Sequence, residues 1–168
     1  TATISLALRD SPLVASDTRE KIKDQARALG YIYNRRAASL RTSRSGIIGV
    51  VFHDVMNPFY GEILKAIESE LDRSRQTFIL SNHYDSVEKQ RTFLETLLQL
   101  GSDGVIMSPA IGTPTEDLKL AEENGMPAIL VARSMDGVDM PTFRGDDSYG
   151  ISLATNHLIS LGHRTIAM

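Results

Sequence analysis

The chain has 168 residues, of which 42% are hydrophobic, no cysteine and a formal net charge of −3. The lack of cysteine excludes disulfides and thiolate metal ligands, and no apolar run reaches the roughly 20 residues that span a bilayer. The charge is unevenly distributed: residues 1–45 hold nine Lys and Arg against four Asp and Glu, whereas residues 46–168 hold nine against seventeen. A basic head on an acidic body predicts that the head contacts a polyanion such as DNA.

The basic head begins with two predicted short helices. The apolar residues between positions 2 and 10 predict the first helix, which ends at Ser11-Pro12. The second begins at Ser16 as N-cap and ends at Gly30 as its C′ residue. Three apolar residues share one face of this second helix: Ile22, Ala26 and Leu29. Two helices of this size bury too little surface to be stable alone, so we expect a third helix or a partner.

Residues 34–41 are strongly basic, with three arginines around one large apolar residue, Leu40. A helix this short is unstable in water, because nucleation costs more than one turn returns. One interpretation is a solvated basic linker. The other is a helix that folds on DNA, with its arginines toward phosphates and Leu40 toward the base stack.

The acidic body alternates apolar runs with amphipathic segments. Strands are predicted at 47–52, 78–80, 104–107, 128–131 and 164–168. Helices are predicted at 58–74, 87–100, 115–123 and 149–161, the last with Asp147 as its N-cap. Buried strands alternating with helices predict an α/β fold, a doubly wound parallel sheet covered on both faces.

The segments that follow the predicted strands are polar, with Asn, Asp, Ser, Arg and several aromatic residues. In open α/β sheets, ligands bind beyond the carboxyl ends of the strands. This composition is typical of a site for a small polar or polyhydroxyl ligand. The alternative is that these loops are polar only because loops lie at the surface.

Sequence motifs for catalysis and cofactors are missing. There is no G-x-G-x-x-G, Walker loop or G-x-S-x-G, and no two histidines have metal-ligand spacing. The four histidines are therefore interpreted as structural: His53, His83, His157 and His163. We expect no enzyme activity, no cofactor and no metal. The N-terminus has no signal-peptide pattern, so we expect a cytoplasmic protein.

Several stretches, in order, resemble one family. They are Thr3-Ile4-Ser5-Leu6-Ala7-Leu8, Ser16–Ile22, Ala28-Leu29-Gly30-Tyr31 with Asn34-Arg35-Arg36-Ala37, Ile48-Gly49-Val50-Val51 with Asn57-Pro58-Phe59, Asp103-Gly104-Val105-Ile106, and His157–Arg164. Together they are similar to the lactose-repressor/galactose-repressor (LacI/GalR) family of bacterial transcription regulators.

The resemblance implies three regions. Residues 1–33 correspond to a partial helix-turn-helix DNA-binding domain, residues 34–45 to a hinge helix and linker, and residues 46–168 to the first lobe of a periplasmic-binding-protein-like effector and dimerisation domain. The family's first helix and second lobe have no counterpart in this chain, which opens on Thr1 and stops at Met168. We therefore expect it to be a piece of a longer protein.

The resemblance also implies roles for individual residues in a dimeric repressor that binds operator DNA under the control of a sugar-like effector. The residues implied for DNA contact are Thr1, Ala2 and Leu6 for bases, Thr3 and Ser5 for phosphates, and Asn34, Arg35, Ala37 and Leu40 in the hinge helix. The residues predicted for the effector are Asn57, Pro58, Phe59, Tyr60, Asp85, Ser108 and Asp146. Leu6 replaces the family's usual arginine, so an apolar contact with a thymine methyl is expected where the family reads guanine. Tyr33 replaces the family's usual proline, which is expected to loosen the entry to the hinge helix.

Three alternatives stay open. A sugar-binding receptor without DNA activity would share the body, but the basic head argues against it. A flavodoxin-like enzyme would share the fold, but no nucleophile or metal set supports it. The third alternative is that a chain without the first helix and second lobe neither docks on DNA nor closes on a ligand.

Overall fold

A computed structural model describes residues 2–8, 10–31 and 44–167 of the chain. The predictions for Thr1 and for the hinge residues Asn34, Arg35, Ala37 and Leu40 lie outside these described residues. The chain divides into two compact units, Thr1–Ser45 and Gly46–Met168. Among the described residues, no helix is both long enough and apolar enough to cross a membrane.

The first unit contains helices α1 (Ala2–Leu8) and α2 (Ser16–Ala28). Among the described residues of this unit, the buried apolar ones are Ala7 and Val14, and no residue of α2 is buried. The predicted end of α2 is confirmed, since Gly30 has a φ of +64° that suits glycine. The predicted start is wrong by one residue. Ala15 is the N-cap, and its methyl side chain cannot make a capping bond. The Ser16 hydroxyl donates to Asp17 Oδ1.

The turn between the two helices is held by the basic side chains of α2. Arg19 Nη1 donates to the carbonyl oxygens of Asp10 and Ser11 at 3.3 and 3.2 Å. Lys23 Nζ lies 2.5 Å from Asp10 Oδ1, and this bond raises the pKa of the lysine. Two of the head's positive charges therefore stabilise its own turn.

The second unit is a five-stranded parallel sheet in the order β2-β1-β3-β4-β5. The strands are β1 (Ile47–Phe52), β2 (Thr77–Asn82), β3 (Gly104–Met107), β4 (Ala128–Val131) and β5 (Thr142–Phe143). The helices are α3 (Pro58–Arg73), α4 (Val87–Leu100), α5 (Thr115–Glu123) and α6 (Asp147–Ser160). The parallel α/β architecture predicted from the sequence is confirmed for this unit.

Alternate residues of the interior strand β1 pack on opposite faces of the sheet. Val51 joins one apolar cluster with Leu97 of α4 and Leu118 of α5. Val50 and Phe52 join another with Tyr60 of α3. The sheet is thus covered by α4 and α5 on one face and by α3 on the other.

Three details of the body differ from the prediction. Residues 164–167 form no strand, although their apolar composition is strand-like. Strand β5 was not predicted, because two residues are too few to show a pattern. The N-cap of α6 is Asp146 rather than Asp147: its Oδ1 accepts the Tyr149 N–H at 2.9 Å.

Candidate ligand-binding site

The carboxyl ends of β1 and β3 lie side by side in the middle of the sheet. The chain leaves β1 toward β2 on one side and leaves β3 toward β4 on the other. This reversal of strand order makes a topological switch point, the usual position of a ligand crevice in an open α/β sheet. The site predicted from the strand-end loops therefore falls at a suitable place in the fold.

The N-cap and first turn of helix α3 hold four of the predicted effector residues, Asn57 to Tyr60. Its N-cap is Asn57, whose Oδ1 accepts the Phe59 N–H at 3.0 Å, and Pro58 occupies the first turn, where no N–H is needed. Tyr60, two residues after Pro58, is buried, and its ring centroid lies 5.1 Å from that of Phe52.

The hydroxyl of Tyr60 bonds the hydroxyl of Ser108 at 3.0 Å, and Ser108 is fully buried. Each hydroxyl therefore has its partner inside the protein. Phe59 is different, because its ring is 55% exposed beside Tyr60. Of these two aromatic side chains, Phe59 is therefore the one open to a ligand.

Asp85 follows β2 in a turn where both Tyr84 and Asp85 have positive φ, 49° and 59°. Its Oδ1 accepts from Arg133 Nη1 at 2.5 Å and from the Ile111 N–H at 3.2 Å. Arg133 Nη1 also donates to the carbonyl of Pro109 at 3.0 Å. The Arg133 guanidinium lowers the pKa of Asp85 to about 2, and the carboxylate in turn raises the pKa of Arg133.

His83 is fully buried and links the loops after β2 and β3. Its Nδ1 accepts the Asp85 N–H at 2.9 Å, which leaves Nε2 to donate to the Ser108 carbonyl at 2.8 Å. This pattern assigns the neutral tautomer with its proton on Nε2. Burial lowers the pKa of His83, in agreement with the neutral form.

The fold brings His53 together with the neighbouring residues His83 and Asp85, so that three possible metal ligands meet. Ligand atoms of His53, His83 and Asp85 lie within 4.8 Å of one another. Both nitrogens of His83 are already hydrogen-bonded, however, and Asp85 is paired with Arg133. His53 Nδ1 lies 3.1 Å from Asp85 Oδ2 but makes no hydrogen bond to the described residues. The cluster is a polar network rather than an open coordination site.

Gln90 is a fully buried residue of the site that the sequence analysis missed. Its Oε1 accepts the Ala110 N–H at 2.7 Å and its Nε2 donates to Thr113 Oγ1 at 2.9 Å. Arg133 lies in one of the polar segments noted after the predicted strands, but it was not among the residues predicted for the effector. The available signal was the position of Gln90 on the inward face of α4 with Phe93, Leu94 and Leu97, where an amide needs a buried partner.

Asp146 lies apart from the rest of the predicted effector set. It follows β5, is exposed, and uses its carboxylate to cap α6. In the part of the chain that the structure describes, it shares no hydrogen bond or ion pair with another predicted effector residue.

Comparison with known proteins agrees with this geometry. The family of periplasmic binding proteins and sugar-binding domains of the LacI family matches residues 45–168. The chain belongs to the LacI/GalR family. Its curated relatives include the maltose regulon regulatory protein MalI of Escherichia coli K12, 33% identical over 99% of this chain and 48% of the relative. They also include the HTH-type transcriptional regulator RegA of Clostridium saccharobutylicum, 36% identical over 99% of this chain and 50% of the relative.

A solved structure of a LacI/GalR protein resembles most of the chain. The lac repressor dimer bound to operator and the anti-inducer ONPF has a TM-score of 0.74 and 27% identity, covering 99% of this chain and 50% of that one. The chain thus spans about half the length of the curated relatives it matches. The LacI/GalR relatives named here are regulators and not enzymes.

In this LacI/GalR chain, the predicted DNA-contact residues that the structure describes lie on α1. Thr3 is exposed, and Ser5 and Leu6 are partly exposed, whereas Ala7 faces inward. Ala2 is the first residue of the helix.

Proposed function

We propose that this chain is part of a homodimeric repressor that binds operator DNA and is controlled by a small polyhydroxyl ligand, a sugar or sugar derivative. The observation that carries the proposal is the polar network at the switch point of the sheet, in a chain of the LacI/GalR family. The alternative of a receptor without DNA activity is less consistent with the basic head.

An uncharged ligand suits the electrostatics of the site. Arg133 is neutralised by Asp85, which leaves it poorly able to pair with a phosphate or carboxylate. The exposed ring of Phe59 offers an apolar face for the C–H side of a sugar ring. We assign ligand contact to the exposed side chains of Asn57, Pro58 and Phe59, to the segment after Ser108, and to Asp146 from the edge of the sheet. The buried Tyr60 would support the first of these loops from inside the protein. MalI, a relative named for the maltose regulon, makes maltose the first candidate.

The proposal places DNA contact in the head and the hinge. Thr3, Ser5 and Leu6 of α1 would lie in the major groove, and residues 34–41 would fold as a hinge helix in the minor groove. Leu40 is the proposed wedge that unstacks a base step. Ligand binding would change the distance between the two hinge helices of a dimer, with a coupling free energy of roughly 1–3 kcal/mol.

The Leu40→Ala substitution in the natural full-length protein tests the DNA-binding part of the proposal. We expect operator affinity to fall about tenfold or more, while binding to random DNA and its salt dependence stay nearly unchanged. Fluorescence anisotropy with an operator selected by the protein from a random DNA pool measures both. Leu120→Ala, at an exposed position of α5, is the matched control and is expected to change neither affinity. An equal loss of affinity for operator and for random DNA would contradict the proposed role of Leu40 as a wedge.

The proposed control by a sugar is tested by adding maltose, ribose, galactose or glucose to the operator complex and measuring operator affinity by fluorescence anisotropy. We expect at least one sugar to lower operator affinity. If none of these sugars binds, the assignment of a sugar effector is wrong.

A further inference from the structure

The side chain of Asp85 contacts loops that follow three other strands of the sheet. It belongs to the loop after β2 and accepts from Ile111 in the loop after β3 and from Arg133 after β4. His53, directly after β1, has its Nδ1 3.1 Å from the same carboxylate. The four loops that surround the proposed ligand crevice therefore share one anion.

The carboxylate of Asp85 has little room for another donor. Oδ1 already accepts from Arg133 Nη1 at 2.5 Å and from the Ile111 N–H at 3.2 Å. Oδ2 accepts from Arg133 Nη2 at 3.4 Å and lies against His53. A carboxylate has about four acceptor positions, so these three hydrogen bonds and the neighbouring His53 ring leave little space for a ligand hydroxyl.

The backbone of Asp85 is fixed as well. Its N–H bonds His83, which in turn holds the Ser108 carbonyl, so the same residue is tied to the loop after β3 twice. Tyr84 and Asp85 both adopt left-handed conformations, which surrounding structure must stabilise in residues other than glycine. This region is built to hold Asp85 in one position.

We infer that Asp85 is a positioning residue: it fixes the segment 109–113 in the ligand-binding conformation and does not contact the ligand. This inference rests on the function proposed above and changes the role first expected for Asp85. Gln90 holds the same segment independently through Ala110 and Thr113. Loss of Asp85 should therefore displace the segment near Ile111 without unfolding the sheet.

The Asp85→Asn substitution in the natural full-length protein separates positioning from direct contact. Asparagine keeps the shape of the aspartate side chain but has no charge, and its NH₂ group is a donor that cannot accept a hydrogen bond from Arg133. Titration calorimetry with the tightest-binding sugar and each of its monodeoxy analogues measures the affinities. Positioning predicts that the variant binds every one of them more weakly by the same factor, about tenfold. Direct contact predicts that the loss disappears for the analogue that lacks the contacted hydroxyl, and that result would overturn the inference.

The pair Arg91–Asp117 provides a matched control. Arg91 Nε lies 3.1 and 3.2 Å from the two oxygens of Asp117, and the pair joins α4 to α5. Asp117→Asn breaks a similar ion pair away from Asp85, and we expect unchanged sugar affinity. Arg133→Lys keeps a cation but loses the two-pronged geometry, so it should weaken binding less than Asp85→Asn. Unchanged affinity in Asp85→Asn would overturn the inference.

A measurement without ligand tests the inference even if no sugar binds. Hydrogen exchange of the Ile111 amide, followed by NMR, should be faster in Asp85→Asn than in the parent protein and unchanged in Asp117→Asn. Unchanged exchange at Ile111 in Asp85→Asn would overturn the inference. Failure of the parent protein to bind any sugar would instead contradict the proposed function, so the two failures are distinguishable.

Discussion

The buried hydrogen bond between Tyr60 and Ser108 tests the site at the scale of one residue. Tyr60→Phe removes the hydroxyl and leaves Ser108 Oγ without this partner, so we expect the free energy of unfolding to fall by about 1 kcal/mol. Urea denaturation of the natural protein measures it. Tyr84→Phe is the matched control, because Tyr84 is 54% exposed and should tolerate the change. Equal effects of the two substitutions would contradict a stabilising role for the buried bond.

His83 makes the stability of the protein depend on pH. Burial lowers the pKa of His83 below its ordinary value of 6.5. Between the lowered pKa and pH 6.5, the unfolded chain therefore binds a proton at this histidine that the folded chain does not. This contribution to stability is therefore present above about pH 6.5 and is lost as the pH falls further. Asp85, with a pKa of about 2, is ionised throughout this range.

The expected result is a loss of unfolding free energy between about pH 7 and pH 5 that is smaller in His83→Gln. Denaturation at a series of pH values measures the slope. The control is His157→Gln, at an exposed position of α6, which should keep the slope of the parent. A His83→Gln slope equal to the parent's would show that His83 is not the group responsible.

At the residue scale, the sequence predicted polar residues at the strand ends but not their partners. Asp85 was named as a ligand contact, yet Arg133, its partner in the structure, is 48 residues away in the chain. A pair this distant depends on the order of the strands, which single-sequence patterns do not determine. Asp146 and Asp147 show the same limit locally, since both are good N-caps and only the backbone decides between them.

At the scale of elements, the close packing of β1 on α4 gives a further prediction. A Cβ atom at Gly49 would lie 2.1 Å from Leu97 Cδ1, in a core where Leu97 is fully buried. We expect Gly49→Ala to lower the free energy of unfolding by about 1–3 kcal/mol. The control is Gly61→Ala in α3, where the nearest atom is 3.8 Å away and alanine favours the helix. Urea denaturation compares the two, and a Gly49→Ala protein as stable as the parent would contradict this packing.

Helices were predicted more accurately than strands for physical reasons. The start of α4 is marked by its cap, Ser86, and its end by Gly101 with a φ of +65°. Strand β5 has two residues and no apolar pattern of its own; it is defined by its bonds to β4. Residues 164–167 have a strand-like composition but no neighbouring strand to pair with in the described structure. Pairing across the sheet is a tertiary property that local composition does not contain.

At the scale of the whole molecule, the chain exposes surfaces that its own residues do not cover. Helix α6 has no buried residue, although Tyr149, Ile151 and Leu153 are apolar and exposed. The chain also covers only about half of each curated relative it matches. We therefore expect ligand and DNA binding to require the natural full-length protein, and all the measurements above use it.

The proposed ligand site at the switch point is tested directly by an NMR titration of the ¹⁵N-labelled natural protein with the sugar that lowers operator affinity. We expect saturable shifts of backbone amides in two loops at the carboxyl edge of the sheet, residues 57–60 and 108–113. The amides of Gly46 and Asp103, at the opposite edge, should stay unchanged. Saturable shifts confined to that opposite edge, or no saturable shift at the carboxyl edge, would contradict a ligand site at the switch point.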